Sequence, residues 1–140
     1  MNPVSHLNLI IRENRVADYL SPTREIGMRP EEFGSGNSRW SWREQPPLVL
    51  NPFGAINGGF VAVFIDELLA TAIGSVLEEH EWAMTAETKV SYLRPLRPGA
   101  ISGTAQVVRR GQGIAFLDAE VLGPDAKVAA RATSTWSISR

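Results

Sequence analysis

The sequence predicts an α+β domain in which an antiparallel sheet wraps around one long helix. A helix-length apolar stretch runs from Asn57 to about Leu77, and from Ala83 onward apolar and polar residues alternate with the period of a strand. A helix that is apolar on every side must be covered on every side, so we expect the strands to enclose it. One helix surrounded by consecutive strands is an α+β architecture.

The composition predicts a single globular domain over residues 1–140 and excludes several kinds of site. The apolar fraction is 44%, 21% of the residues are charged, and the formal net charge is −1. This charge gives no electrostatic basis for binding nucleic acid. The chain has no cysteine and two histidines, which excludes disulfides, thiolate metal sites and a histidine-rich metal site. We therefore expect no metal and no nucleic-acid partner.

The apolar helix is not expected to cross a membrane. The segment Phe60–Leu77 contains 18 residues, but Asp66 lies near its centre. A charge at that depth costs about 2.5–3.5 kcal/mol even on a lenient insertion scale. The start of the chain has too short an apolar run for a signal peptide. We expect a cytoplasmic protein with no membrane partner.

Four strands are expected after the helix. The first, beginning near Ala83, has one face made of Ala86, Thr88, Val90 and Tyr92 and another made of Thr85, Glu87, Lys89 and Ser91. Turns at 94–100, 111–113 and 123–126 separate the other three. Their expected inner faces are Ile101, Gly103, Ala105 and Val107, then Ala115, Leu117, Ala119 and Val121, then Val128, Ala130, Ala132, Ser134, Trp136 and Ile138.

Weaker signals before the helix predict two more elements of the sheet and a helical extension. The segment Glu25–Phe33 reads as a strand that Pro30 confines to an edge or a bulge. The next segment alternates, with Trp40 and Trp42 opposed to polar neighbours. Residues 1–22 carry apolar residues at helical spacing and are expected to form a short amphipathic extension. The predicted sheet therefore has five to six strands.

An adjacent acid pair, Asp66 and Glu67, is the most informative feature of the apolar helix. A carboxylate placed in apolar surroundings costs several kcal/mol unless it is paired, hydrogen-bonded or used in chemistry. The helix also begins with Gly58 and Gly59, whose backbone N–H groups are open to a ligand. A helix N-terminus carries about half a positive charge, which suits it to an anion. The alternative for Asp66 is a structural acid in a subunit interface, and for Glu67 an ion pair or a solvated edge.

Two motifs resemble the hotdog-fold acyl-CoA thioesterases of the phenylacetate-degradation type. That family has an Asn or Gln, a Gly three residues later, a His-Gly-Gly that opens the central helix, and an acid nine positions after the His. The run NPFGAINGGFVAVFIDE matches this pattern at Asn51, Gly54, Gly58, Gly59 and Asp66. KVSYLRPLRPG, at 89–99, resembles the family's strand ending in Tyr/Phe-x-Arg-Pro. The resemblance implies a hotdog fold and a thioesterase that needs no cofactor beyond the coenzyme A of its substrate.

The residues and the resemblance together suggest a catalytic set and a binding set. Asp66 would be the base or nucleophile, the Gly58 N–H would stabilise the oxyanion, and Asn51 would hold the water or the carboxylate. Asn57 replaces the family's His, so it can cap the helix but cannot act as an imidazole. The substrate-binding candidates are Gly59, Tyr92, Arg94, Arg109 and Arg110, although the arginines also fit an ordinary solvated surface.

The spacing of two candidate residues predicts an oligomer. Gly58 and Asp66 are eight residues apart on one helix, which is about 12 Å along its axis. One chain cannot contact a single carbonyl with both, so we expect a dimer or a dimer of dimers. The predicted function is hydrolysis of a small aryl- or acyl-CoA to the free acid and CoA. The alternative is a non-catalytic acyl-binding, CoA-binding or assembly protein that has lost the motif His.

Overall fold

A computed structural model of the protein describes residues 3–18 and 21–140. Within these residues three α-helices, two 3₁₀ turns and six strands follow one another. The helices are α1 (Pro3–Arg12), α2 (Pro22–Glu25) and α3 (Gly58–Gly74), and the 3₁₀ turns are Val16–Asp18 and Pro47–Val49. The strands are β1 (Met28–Gly34), β2 (Asn37–Trp42), β3 (Trp82–Tyr92), β4 (Ile101–Arg110), β5 (Ile114–Leu122) and β6 (Val128–Ser139).

The six strands form one antiparallel sheet in the order β1-β2-β4-β5-β6-β3. The sheet curves around α3, and strands β1 to β6 all contact this helix. The predicted α+β class and the wrapped helix are therefore confirmed. Pro30 lies in the edge strand β1, where the register shifts immediately after it, as a proline in a strand requires.

The core lies between α3 and the inner face of the sheet. Trp40 and Trp42 point inward from β2 and are fully buried, and Phe64 and Leu68 meet the sheet from α3. The indole of Trp42 donates to the Ile26 carbonyl over 2.7 Å, which satisfies its buried N–H. The alternation predicted for β2, β4 and β5, and for β6 from Ala130 onward, is confirmed, because the inward positions are the buried ones. The inward position predicted for Val128 is wrong: the register with β5 shifts there, and Ala129 is the buried residue.

The predicted amphipathic helix at the start of the chain is α1. Val4, Leu7 and Ile10 are buried, and the first two pack with Phe33 of β1. Val4 also lies against the end of α3, since a Cβ added at Gly74 would come within 2.5 Å of its side chain. Of the predicted extension 1–22, residues 1, 2, 19 and 20 lie outside the described residues.

Strand β3 departs from the predicted alternation at its start. Thr85 pairs with Trp136 and Glu87 pairs with Thr135, so Ala86 is an extra residue in the strand, a β-bulge. Thr85 consequently lies on the α3 side of the sheet. The prediction that Thr85 shares a face with Glu87 is wrong, because one inserted residue reverses the facing of the residues before it.

One side of α3 is open, which differs from the expectation that the strands cover it all round. Gly59, Val63 and Asp66 are exposed along this stripe, and Ala62 is half-buried. The open side lies where the sheet ends, at the edge strand β3, which pairs only with β6. No residue of β3 is buried. The helix also ends at Gly74, three residues before the predicted Leu77.

The described residues contain no helix that is long and apolar enough to cross a bilayer. Helix α3 has 17 residues.

Gly103 is expected to be intolerant of a side chain, because β4 lies close against α3 there. A Cβ at this position would lie 2.5 Å from Leu68 Cδ1 and 3.0 Å from Phe64 Cε1, both in the packed core. Gly103→Ala should lower the free energy of unfolding by about 1–3 kcal/mol, the usual cost of overpacking a core. Denaturant unfolding measures this. The control is Gly113→Ala, where a Cβ meets nothing within 4 Å; equal stability of the two variants would contradict the proposed packing.

Candidate active site

Helix α3 begins with a capped residue and an unpaired donor. The side-chain oxygen of Asn57 accepts the Gly59 N–H over 2.8 Å, as an N-cap asparagine does. The Gly58 N–H has no acceptor among the described residues. Asn57 therefore performs the predicted capping role, and the first N–H of the helix remains available to an oxyanion.

Tyr92 holds the start of α3 against the end of β3. Its hydroxyl donates to the Gly58 carbonyl over 2.7 Å. A Cβ added at Gly58 would lie 3.4 Å from the tyrosine ring, so the two residues are in close contact. The predicted binding residue Tyr92 thus also fixes the helix end that carries the candidate oxyanion donor.

Asn51 organises the loop that precedes the helix. Its side-chain oxygen accepts the backbone N–H groups of Phe53 over 2.9 Å and Ala55 over 3.1 Å. Gly54 has φ of +77°, a left-handed conformation that favours glycine and closes the turn. The turn-forming role of Asn51 is therefore present, and its side-chain N–H₂ has no acceptor among the described residues.

The two adjacent acids lie in different environments. Asp66 is exposed on the open side of α3 and accepts a hydrogen bond from the Thr85 hydroxyl over 3.2 Å. Glu67 is half-buried and accepts one from the Thr23 hydroxyl over 3.0 Å. Burial raises the pKa of Glu67, the Thr23 hydrogen bond opposes this, and the neighbouring Asp66 charge adds to it. Among the described residues Glu67 has no ion-pair partner, and it is half-buried rather than the solvated edge that was the other expectation.

The remaining candidate residues lie at two ends of the sheet. Arg94 is exposed just beyond Tyr92, at the end of the sheet where α3 begins. Arg109 and Arg110 lie at the opposite end, because β4 pairs with the start of β5 there. Within one chain the structure therefore groups Asn51, Asn57, Gly58, Gly59, Tyr92 and Arg94, and it does not bring Asp66, Arg109 or Arg110 to the same point.

Arg110 takes part in an ion-pair cluster that the sequence did not predict. Its guanidinium contacts the buried carboxylate of Glu81, which Arg140 also contacts over 3.2 Å. The backbone N–H of Glu78 donates to the same carboxylate over 3.0 Å. This backbone hydrogen bond, followed by the two arginines, lowers the pKa of Glu81. The cluster joins the loop after α3 to the ends of β4 and β6.

Two concavities of the described residues lie away from the candidate residues. One of about 900 Å³ covers the outer face of the sheet and is lined by charges of both signs, including Arg39, Asp118 and Arg131. None of the candidate catalytic or binding residues lines it, nor the smaller one of about 490 Å³ beside it. The candidate residues therefore lie at α3 and at the ends of the sheet, outside both concavities.

Comparison with known proteins decides the family. The sequence profile of the thioesterase superfamily matches residues 53–130, which is more than half of the chain and includes the start of α3, Asp66 and β3 to β5. The chain belongs to the thioesterase superfamily. It is a thioester hydrolase, as the sequence predicted.

Individual relatives agree with this assignment. The medium/long-chain acyl-CoA thioesterase YigI of Salmonella typhimurium is 26% identical over 129 residues, which cover 82% of this chain and 83% of that protein. A thioesterase structure from Haemophilus influenzae has a TM-score of 0.78 at 20% identity and covers 86% of this chain and 83% of that one. For a phenylacetic acid degradation-related protein from Ralstonia eutropha the TM-score is 0.79 at 24% identity, with 94% and 98% covered. These structures confirm the hotdog fold.

We expect Glu81 to stabilise the fold in a pH-dependent manner. The pKa of Glu81 is lower in the folded state than in the unfolded chain, where it is about 4.3. The ionised carboxylate therefore stabilises the fold at pH values above the unfolded pKa. This stabilisation is lost as the pH falls through the folded pKa. Glu81→Gln should be less stable than the parent at pH 7, and the difference should shrink by pH 3. Denaturant unfolding at both pH values measures it. Glu79→Gln, an exposed acid of the same loop, is the control; a difference that grows in acid would contradict this account.

Proposed function

We propose that the protein hydrolyses the thioester of a small aryl- or acyl-CoA to the free acid and CoA, with Asp66 as base or nucleophile and the Gly58 N–H as oxyanion donor. The observation that carries the proposal is the pairing, on one helix, of a solvent-accessible carboxylate with an N-terminal N–H that has no acceptor among the described residues. The two groups fit the two demands of acyl transfer, a nucleophilic side and an oxyanion side.

The proposed reaction needs no group beyond the chain, the substrate and water. Asp66 removes a proton from water as the oxygen attacks the thioester carbon, or its carboxylate attacks directly and water then hydrolyses the anhydride. The carbonyl oxygen becomes negative and accepts the Gly58 N–H at the positive end of α3. Collapse of the tetrahedral intermediate breaks the carbon–sulfur bond, and the CoA thiolate leaves and takes up a proton. In this proposal the side-chain N–H₂ groups of Asn51 and Asn57 orient the water and the carbonyl.

The distance between Gly58 and Asp66 supports a site shared by two chains. They lie about 12 Å apart along one helix, too far to act on the same carbonyl carbon. The open side of α3 and the unpaired edge of β3 are adjacent, and both are surfaces that a second copy can cover. In the dimer that we propose, a two-fold axis beside β3 would bring one chain's Asp66 opposite the other chain's helix start. We therefore propose that the smallest active unit is a homodimer, alone or within a dimer of dimers.

The same symmetry rationalises the predicted arginines. A two-fold axis reverses the direction of the second sheet, so the Arg109 end of one chain lies on the same side as the Tyr92 end of the other. Arg94 and Arg109 then border one site from two protomers, where their charge suits the phosphates of CoA. Arg110 already binds Glu81. The relative YigI is named for medium- and long-chain acyl-CoA, so longer acyl groups belong in the first set of substrates tested.

A panel of aryl-, short-, medium- and long-chain acyl-CoA thioesters with detection of the free thiol tests the proposed activity. We expect thiol release from at least one of them without added metal or cofactor. Saturable binding of acyl-CoA with no release of thiol across the panel would contradict the enzyme and support the non-catalytic alternative.

Replacing Asp66 distinguishes its role from that of its neighbour. Asp66→Asn should lower kcat by about 10²–10⁴-fold on the best substrate of the panel, the usual worth of a general base. Glu67→Gln is the matched control, because it removes the adjacent charge while its amide oxygen can still accept from Thr23. Burial raises the pKa of Glu67, which means that the fold disfavours its ionised form. A neutral amide at this position should therefore leave both activity and stability at neutral pH unchanged.

Circular dichroism and thermal unfolding verify that both variants are folded. A folded Asp66→Asn variant with parental activity, or an equal loss in Glu67→Gln, would contradict the assignment of Asp66.

A further inference from the structure

Phe53 is the most exposed of the large apolar side chains in the described part of the chain, at 86%. Its backbone is nevertheless fixed. The Phe53 N–H donates to Asn51 Oδ1 over 2.9 Å, and the Phe53 carbonyl accepts a hydrogen bond from the Arg97 guanidinium over 3.4 Å. The next residue, Gly54, closes the turn by donating to the Asn51 carbonyl over 3.0 Å. The loop before α3 therefore presents an aromatic ring to solvent from a backbone that hydrogen bonds hold in place.

The two loops that meet at Phe53 are basic. Residues 45–57, before α3, and residues 93–100, after β3, include Arg94 and Arg97 and no acid. Both arginines are exposed, and neither forms an ion pair within the described residues. A single exposed apolar side chain is ordinary and implies no ligand. An aromatic ring next to guanidinium groups that lack a counter-charge is a surface with a more specific chemistry.

An aromatic ring and a guanidinium together match a phosphorylated nucleoside. Every nucleobase has a π-face that stacks on an aromatic side chain, and arginine binds phosphate oxygens through a planar set of donors. An acyl chain would use the ring and leave the arginine without a role. Acyl-CoA carries an adenine, a 3′-phosphate and a diphosphate at the end remote from its thioester. This end of the substrate therefore has both groups that the loops can recognise.

We propose that Phe53 and Arg97 bind the nucleotide end of CoA, with the adenine stacked on the Phe53 ring and a phosphate accepting hydrogen bonds from Arg97. The inference rests on the proposed function, because that function names CoA thioesters as the substrate. The loop of Phe53 leads directly into Gly58, so the nucleotide lies at the end of the sheet where α3 begins. Neither residue contacts the reacting carbonyl, and their binding energy is the same before and during the reaction.

The chain offers matched variants to test this. Phe53→Ala removes the ring, Phe53→Trp keeps an aromatic face, and Arg97→Gln removes the charge. Phe116→Ala and Arg131→Gln are the controls, because these two residues are exposed on the outer face of β5 and β6. All five substitutions are at exposed positions, where changes of side chain seldom affect folding.

The first experiment compares kcat/KM for the best acyl-CoA of the panel with kcat/KM for the same acyl group on pantetheine, which lacks the nucleotide. We expect Phe53→Ala to lower kcat/KM for acyl-CoA by about 5- to 100-fold, the usual effect of removing one base-stacking ring, and mainly through KM. Arg97→Gln should lower it by about 10-fold. Both variants should equal the parent on acyl-pantetheine. Phe53→Trp and the two controls should equal the parent on both substrates.

Three results of this comparison would overturn the inference. An equal fall on both substrates would show that Phe53 contacts the acyl group or the pantetheine instead. Unchanged kcat/KM for acyl-CoA in folded Phe53→Ala and Arg97→Gln variants would remove the nucleotide role and leave the proposed function intact. Loss in Phe53→Ala of an oligomer that light scattering detects in the parent would show that Phe53 serves subunit contact.

A titration with adenosine 3′,5′-bisphosphate separates the inference from the proposed function, because it requires no turnover. By calorimetry the parent and Phe116→Ala should bind this nucleotide, and Phe53→Ala should bind it more weakly. If no thioester of the panel is hydrolysed, the proposed function fails and this titration still tests the nucleotide site. A parent that does not bind the nucleotide at millimolar concentration, or a Phe53→Ala variant that binds it as tightly as the parent, would overturn the inference.

Discussion

Helix α3 is apolar and must be covered, and the chain's own sheet encloses it on all sides but one. The rest of the structure depends on this constraint. Helix α3 buries Phe64, Ile65 and Leu68 against the strands, and its remaining stripe, with Val63 and Asp66, is open. Burial of apolar area drives both folding and association. The uncovered stripe lies beside the free edge of β3 and carries the carboxylate that we propose for catalysis. The proposed dimer contact and the proposed chemistry therefore involve the same surface.

The fold was predictable where a local pattern decides the structure. The alternation of β5 gives Ala115 and Leu117 inward positions in both the sequence and the structure, and Asn57 before two glycines marks the start of α3. The pattern could not predict the bulge at Ala86, because no residue type there requires one and the register depends on pairing with β6. The residue pattern also does not show that one side of α3 remains open, because the order of the strands in the sheet decides which side of the helix is covered.

The candidate site also has a part that the sequence predicts and a part that it does not. The roles of Asn57 and Gly58 at a helix start follow from neighbouring residues, and the structure places them accordingly. Contacts between distant segments, such as Thr85 with Asp66 and Arg110 with Glu81, have no signal in either segment alone. Arg110 has the same sequence character as the exposed Arg109, and only the folded position of Glu81 distinguishes them.

The central claim is that each active site combines the helix start of one chain with Asp66 of another, and subunit complementation tests it most directly. Gly58→Pro removes the oxyanion donor at a position that tolerates proline, because Asn57 has ψ of 134° and the first helical N–H lacks an intrahelical partner. Mixed with Asp66→Asn under subunit exchange, it should form heterodimers in which one of two sites is intact. Up to half of the parental activity per heterodimer should return from two inactive homodimers. Verified heterodimers of folded chains that remain inactive would contradict the shared site.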